Sequence, residues 1–452
     1  MKALMQHQEY AINMMDLSES LGIFYEPGTG KTAIALEWSR RALKRREIDS
    51  VLVACPAALV GNWKLSIDKM IEFEGVTEED VQMLRDKVFV TSYQKLYKRS
   101  VRIVHHRNGI DEKVAEYSLR DEVDKKWGAV FLDESQCASA HDARTTKTCL
   151  VLAQLTQHRF PMTGTPVHGS SRVRGGRDFA KLYGQLNFIH PGLWPTWKAF
   201  CDQCVQYMDE WHKPRAYHID VCEGLMQEYS ITVRLADCVD MPPLTETEVP
   251  CELKAKAVYK DLSNGSYRKY NLLMENVGAL GIKLLQVVSG SLKDDNDNVT
   301  VFDTSKDDAL KTILDGTEDK VVIFCNFTAS VERCMKLCKE AGRTPIQYNG
   351  AAKKDDWMGF QYGDADAIVC QYQVGSAGLD LYTSSTLVFF EPTRSTLNLT
   401  QAKARIRRTG QKSNMRCIYL CTPKTVEQKV WDSVRNGTDV TDEMLDRFAH
   451  GE

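Results

Sequence analysis

The stretch FYEPGTGKTAIALEW, Phe24 to Trp38, constrains the fold more than any other part of the chain. Leu21 to Tyr25 is short, apolar and aromatic, the pattern of a buried parallel strand. Gly28-Thr29-Gly30 follows, a turn whose backbone N–H groups can approach an anion with no Cβ in the way. Lys31-Thr32 then opens a stretch with Ala33, Ile34, Leu36 and Trp38 that reads as a helix. A strand that delivers a glycine turn to a helix N-terminus makes a phosphate site. Lys31 reaches the outer phosphates and the Thr32 hydroxyl can ligate Mg²⁺. The strict spacing needs Gly at position 25, where Tyr stands, so the motif is the relaxed GxGKT form.

A phosphate turn of this kind needs a second component further along. Ala129-Val130-Phe131-Leu132 is an apolar run that ends in Asp133-Glu134-Ser135-Gln136. Paired carboxylates at the end of a parallel strand suit a site where Asp133 holds Mg²⁺ and Glu134 polarises the attacking water. Together the two components imply hydrolysis of a nucleoside triphosphate. That chemistry also needs a cation facing the γ-phosphate. Gln401 to Gln411, QAKARIRRTGQ, supplies candidates: Arg405 and Arg408 are three apart and share a helix face.

The bulk composition excludes other classes. A chain of 452 residues predicts two or three domains. Hydrophobic residues at 43% and charged residues at 26% are those of a globular protein. No secretory leader is legible at the start, and no apolar run approaches the ~20 residues that span a bilayer. The fourteen cysteines lack regular spacing, which predicts reduced thiols in an intracellular compartment. Cys201 and Cys204 form a CxxC, but Cys222 and Cys238 do not form a second one, so buried thiols are expected ahead of zinc. The net charge of −3 rules out a generally basic nucleic-acid glue. Nucleic-acid binding would rest on local patches, Lys98 to Arg107 or Arg172 to Arg177, and each also reads as a solvated loop.

The order of motifs resembles a superfamily 2 helicase/translocase of the Swi/Snf-like branch. Leu4 to Gln8 resembles the adenine-reading Gln motif, and Glu26 to Thr32 motif I. Ala54 to Trp63 resembles motif Ia, Val90 to Tyr93 motif Ib, Asp133 to Gln136 motif II and Met162 to Pro166 motif III. Val322 to Phe327 resembles motif IV, Gly375 to Leu381 motif V and Gln401 to Gln411 motif VI. Leu186 to Pro191 and Asp240 to Glu246 resemble family spacers. The chain departs in places. Motif II has Ser135-Gln136 where the branch more often has Ala-His, motif VI has Arg407 where His is common, and motif V has fewer glycines.

The resemblance implies an α/β fold of two tandem RecA-like lobes, parallel sheets flanked by helices, with ATP in the cleft and small helical insertions. Lobe one would run over 1–240 with insertions near 98–126 and 168–230. Lobe two would run over 241–452 with a helical insertion near 254–292, where Leu272, Leu273, Val277, Leu280, Leu284 and Leu285 have core-like spacing. The Pro242-Pro243 pair marks the link. The implied catalytic set is Lys31, Asp133, Glu134, Gln136, Arg405 and Arg408. The nucleotide set is Gln8, Gly28, Thr29, Gly30, Lys31, Thr32, Gly378 and Asp380, with Mg²⁺ on Thr32 and Asp133, and Gln8 placed to read adenine. DNA would lie on Asn62, Trp63, Lys64, Thr91, Ser92 and Tyr93, and on Asn349, Gly350, Ser376 and Ala377, through contacts that carry no sequence information.

The implied activity is that of an ATP-dependent double-stranded DNA translocase or helicase. It would remodel branched DNA by fork unwinding, fork reversal or branch migration, as a monomer. Compact motors of bacteriophages and bacteria are similar, which points to a bacterial or infected-host cytoplasm. Two alternatives stay open on sequence: an ATP-gated DNA clamp that moves little, and a motor subunit of a restriction or defence complex.

Overall fold

Long apolar runs and strands coincide in this protein. The computed structural model describes residues 2–105, 111–169, 173–174, 176–274, 276–350, 356–375 and 379–451, with side chains left out at 101–105, 111–115, 168, 356, 374 and 375. The chain divides into two compact units, one of residues 1–168 and 173–239, the other of 169–172 and 240–452.

The first unit is built on strands β1 (Gly22–Tyr25), β2 (Val51–Cys55), β3 (Val88–Ser92), β6 (Trp127–Asp133) and β7 (Thr156–Met162). With Ser230–Val233 they make a six-stranded sheet, in the order Ser230–Val233, β1, β7, β6, β2, β3. Every pairing in it is parallel. Strands β1, β2 and β6 are buried at every residue, as a parallel sheet covered on both faces requires. Helices α1 (Gln6–Leu17), α2 (Lys31–Lys44) and α3 (Val60–Asp68) flank it. Trp38 of α2 packs edge-on against Phe160, ring centroids 4.7 Å apart, fastening the helix to the sheet. The register places Asp133 beside Met162 and Met162 beside Ile23, so β6 ends level with Ile23 while β1 runs on to Tyr25, and both strands finish at the same carboxyl edge of the sheet.

The segment after β3 is a hairpin of two nine-residue strands, β4 (Tyr97–His105) and β5 (Asp111–Leu119), with Tyr97 opposite Leu119. Arg144 lies 3.6 Å over the Tyr117 ring at its base. Between Trp194 and Tyr229 the chain forms helix Trp197–Cys204, hairpin Val205–Met208 with Pro214–Tyr217, and helix Ile219–Tyr229.

The second unit repeats the architecture. Its six strands run in the order Leu244–Pro250, Met415–Cys421, Thr386–Phe389, Val321–Cys325, Ala367–Gln371, Pro345–Tyr348, again all parallel. Two parallel sheets flanked by helices are two RecA-like lobes, the α/β class expected from the sequence.

One helical expectation fails here. Leu272, Leu280, Leu284 and Leu285 are buried, but Leu273 and Val277 are 66% and 61% exposed. No single helix covers the stretch: Asn271 and Gly278 take left-handed φ of 53° and 80°, and the helix begins only at Ala279. Residues 272–274, 276 and 277 therefore escape the helical period.

Lys306 and Glu427 form an ion pair with no solvent exposure on either side chain. Lys306 Nζ also donates to the Phe390 carbonyl at 2.8 Å, and Glu427 accepts from Thr422 N at 2.8 Å. Burial raises the Glu427 carboxyl, and the lysine charge opposes that rise. Lys306→Ala strands a buried carboxylate and is expected to lower the stability of this lobe by about 3–5 kcal/mol, read by denaturant unfolding. Among the described residues no helix is long and apolar enough to cross a membrane.

Candidate nucleotide site

The phosphate turn joins β1 to α2. Gly28 and Gly30 have φ of 90° and 85°, a region that side chains rarely enter. A Cβ on Gly30 would stand 2.2 Å from Gln8 Nε2, so a side chain there would push the Gln8 amide off the Thr29 carbonyl. No side chain caps the N-terminus of α2. Lys31 Nζ donates to the carbonyls of Tyr25 at 2.7 Å and Glu26 at 3.3 Å, curled over the turn. Thr29 is buried, and its hydroxyl donates to the Glu26 carbonyl at 2.8 Å.

Helix α1 grips this turn from behind. His7 Nε2 donates to the Thr29 carbonyl at 2.8 Å and Gln8 Nε2 donates to the same oxygen at 3.1 Å. Gln8 Oε1 accepts from Met5 N at 3.0 Å. Each end of the Gln8 amide thus holds one backbone group, and each end has the capacity for a further bond. His7 was not anticipated. A histidine next to a motif glutamine carries no signal of its own until the fold sets it against the turn.

Asp133 ends β6 and is the most constrained carboxylate of the site. Its Oδ2 accepts from the Trp63 indole Nε1 at 2.8 Å, and Oδ1 accepts from Glu134 N at 3.1 Å. Its main-chain oxygen accepts from the Tyr93 hydroxyl at 2.8 Å. Burial and the neighbouring Glu134 charge push the Asp133 carboxyl up to about 6, against the pull of the Trp63 bond and the Lys31 ammonium. Glu134 adopts a left-handed φ of 51°, an unusual conformation for a non-glycine residue. Gln136 Nε2 donates to Glu134 Oε2 at 2.8 Å and fixes that carboxylate.

The departures in motif II have structural counterparts. The Ser135 hydroxyl donates to Gln185 Oε1 at 2.7 Å, and Gln185 Nε2 donates to the Pro166 carbonyl at 2.9 Å. Ser135 thereby connects motif II to the end of motif III.

These residues fit a magnesium–nucleotide ligand. A buried carboxylate raised by burial and by a second carboxylate gains most from a divalent cation, and Asp133 and Thr32 offer the hard oxygen donors Mg²⁺ prefers. A glycine turn closed to side chains and opening a helix fits the phosphates.

In the second lobe Arg405 is buried. Its Nε donates to the Gln401 carbonyl at 2.8 Å and its Nη1 to the Leu379 carbonyl at 3.1 Å. Arg408 donates to the same Leu379 oxygen at 3.1 Å, pairs with Asp380 and keeps its side chain 28% exposed. Gly378, Ser376 and Ala377 lie outside the described residues.

The expected DNA contacts divide. Asn62 is half-buried, Lys64 and Gly350 are exposed, and Asn349 is half-buried. Trp63, Thr91, Ser92 and Tyr93 are corrected: all four side chains are buried, and Trp63 and Tyr93 face Asp133. Gln94 and Lys95, next in sequence, are the exposed ones. In the basic patches, Lys98 pairs with Asp121, and Arg177 pairs with Glu223 and stacks 4.7 Å over Phe179. The side chains of 101–107, and residues 172 and 175, lie outside the description. Cys201, Cys204 and Cys222 are buried, with Cys222 Sγ 3.9 Å from the Cys204 carbonyl oxygen.

An SNF2-related domain model matches residues 7–285, more than half the chain, and a helicase conserved C-terminal domain model matches 305–410. The chain belongs to the SNF2-related family. Its two matched domains are those of a nucleotide-binding ATPase. Among curated proteins it is similar to DNA repair and recombination protein RDH54 of Saccharomyces cerevisiae, 22% identical over 84% of this chain and 44% of that protein. It is 21% identical to RAD54-like of Drosophila willistoni over 93% of this chain and 59% of that one. Against RAD54B of Homo sapiens the identity is 21%, over 90% and 50%. The chain spans about half the length of these relatives. Among solved structures, the Sulfolobus solfataricus SWI2/SNF2 ATPase core in complex with dsDNA is 19% identical over 96% of this chain and 91% of that one, with a TM-score of 0.41.

Proposed function

We propose that this SNF2-family chain is an ATP-driven double-stranded DNA translocase that remodels branched DNA by fork unwinding, fork reversal or branch migration. The observation that carries the motor reading is the joint placement of the Gly28–Thr32 turn and Asp133 at the carboxyl edge of one parallel sheet, where α/β proteins bind ligands. Support for branched DNA comes from the relatives, whose names place them in DNA repair and recombination. All fourteen cysteines are free thiols, in keeping with a reducing compartment. We take lobe one as 1–240 and lobe two as 241–452.

In this reading Gly28, Thr29, Gly30 and Lys31 bind the phosphates, and Lys31 leaves the Tyr25 and Glu26 carbonyls to do so. Asp133 and Thr32 would hold Mg²⁺, which would supply charge neutralisation to the bound triphosphate. Glu134, kept in place by Gln136, orients the attacking water and takes its proton. Arg405 and Arg408 of lobe two, the latter paired with Asp380, are the candidates for the cationic finger. DNA contacts fall to Asn62, Lys64, Gln94 and Lys95 in lobe one and Asn349 and Gly350 in lobe two. These are polar groups suited to phosphates, so binding weakens with salt.

The test is conversion of a labelled four-way junction or fork with ATP present. The proposal expects ATP-dependent rearrangement to duplex products and none with a non-hydrolysable analogue. ATP hydrolysis without any rearrangement would favour the DNA clamp. A chain inert until a nuclease or methylase subunit is added would favour the restriction motor.

A further inference from the structure

Asp133 is gripped by Trp63 of α3 and by Tyr93 just after β3, and neither grip belongs to the phosphate turn. Trp63 stands in α3, the helix after β2, and is 2% exposed. Its indole Nε1 donates to Asp133 Oδ2 at 2.8 Å. Tyr93 directly follows β3, and its hydroxyl donates to the main-chain oxygen of the same residue at 2.8 Å. An indole N–H can only donate, so this bond has one direction and one geometry. A donor to an ionised carboxylate in a buried setting makes a strong hydrogen bond. With Oδ1 on Glu134 N at 3.1 Å, the two bonds leave the carboxylate a single orientation. Packing alone does not require this, because a phenylalanine would fill most of the same apolar space without a donor.

We propose that Trp63 is a positioning residue of the nucleotide site, holding the Asp133 carboxylate in the orientation that receives the divalent cation. Asn62 and Lys64 flank it on the same helix and reach the surface, so the helix that carries candidate DNA contacts is bonded to the cation-holding group. The inference rests on the reading of Asp133 as that group.

The test uses the whole chain and a fluorescent ATP analogue, titrated with Mg²⁺ and separately in EDTA. Two variants are compared with wild type: Trp63→Phe, and Trp63 replaced site-specifically by benzothienylalanine, which keeps the bicyclic shape and lacks the N–H. The expected result is a rise of about tenfold in the Mg²⁺ concentration at half-saturation, the scale of one charge-assisted hydrogen bond. Metal-free nucleotide binding is expected to be unchanged, as is the melting temperature of the benzothienylalanine chain. If the Mg²⁺ midpoint does not move when the donor is gone, the positioning role is wrong. It is equally wrong if metal-free and metal-dependent binding fall in parallel with the melting temperature, because that is the signature of packing. If Trp63→Phe does not fold, the isosteric variant decides alone. Wild type that binds no nucleotide under either condition would instead overturn the reading of the site itself.

Discussion

Replacing Lys31 by alanine is expected to lower ATP turnover by about 10³-fold or more at saturating DNA. Removing one preorganised donor to developing transition-state charge costs about 10²–10³ in related sites, and Lys31 also carries the formal charge facing the outer phosphates. The loss should fall on hydrolysis and nucleotide affinity, not on folding. In the free protein Lys31 caps the Tyr25 and Glu26 carbonyls, which water can serve in its place, so unfolding should shift by about 1 kcal/mol or less. Steady-state hydrolysis beside a denaturant melt checks both halves. A variant that keeps wild-type turnover would remove the phosphate turn from the mechanism.

Arg408→Ala is expected to lower turnover by about 10³–10⁵, the range for loss of an arginine finger, while ATP binding to lobe one falls far less. Arg408 is the better probe of the two arginines. Arg405 is buried and holds Gln401 and Leu379 in place, so its loss mixes chemistry with the packing of lobe two. Arg408 retains an exposed guanidinium edge beside Asp380. Arg408→Lys should recover little, because an ammonium cannot reproduce the planar fork. Single-turnover hydrolysis separates the effect from product release. Equal losses in binding and turnover would show that Arg408 serves lobe architecture and not the transition state.

The elements around the nucleotide were the most legible in sequence, because local chemistry dictates them. The apolar run at Leu21–Tyr25 becomes the fully buried strand Gly22–Tyr25, and the left-handed φ at position 30 favours glycine. The run before Asp133 is likewise apolar because parallel neighbours cover it on both faces. The illegible part lies in how the motifs face one another. Trp63, Thr91, Ser92 and Tyr93 sit in polar strings that read as a surface, yet all four are buried, and Trp63 and Tyr93 bond to Asp133. Leu273 and Val277 obeyed a helical count, but left-handed turns at Asn271 and Gly278 break the period on both sides. His7 and Gln185 act through partners 22 and 50 residues away, a separation no local pattern encodes.

The most direct measurement is the steady-state rate of ATP hydrolysis by the purified chain with no DNA, single-stranded DNA, plain duplex, and a forked or four-way junction. The account predicts a low basal rate, strong stimulation by duplex and the strongest by the branched forms, each weakening as salt rises. A rate indifferent to every DNA form would contradict it, since a site that hydrolyses ATP without sensing DNA cannot drive movement along it.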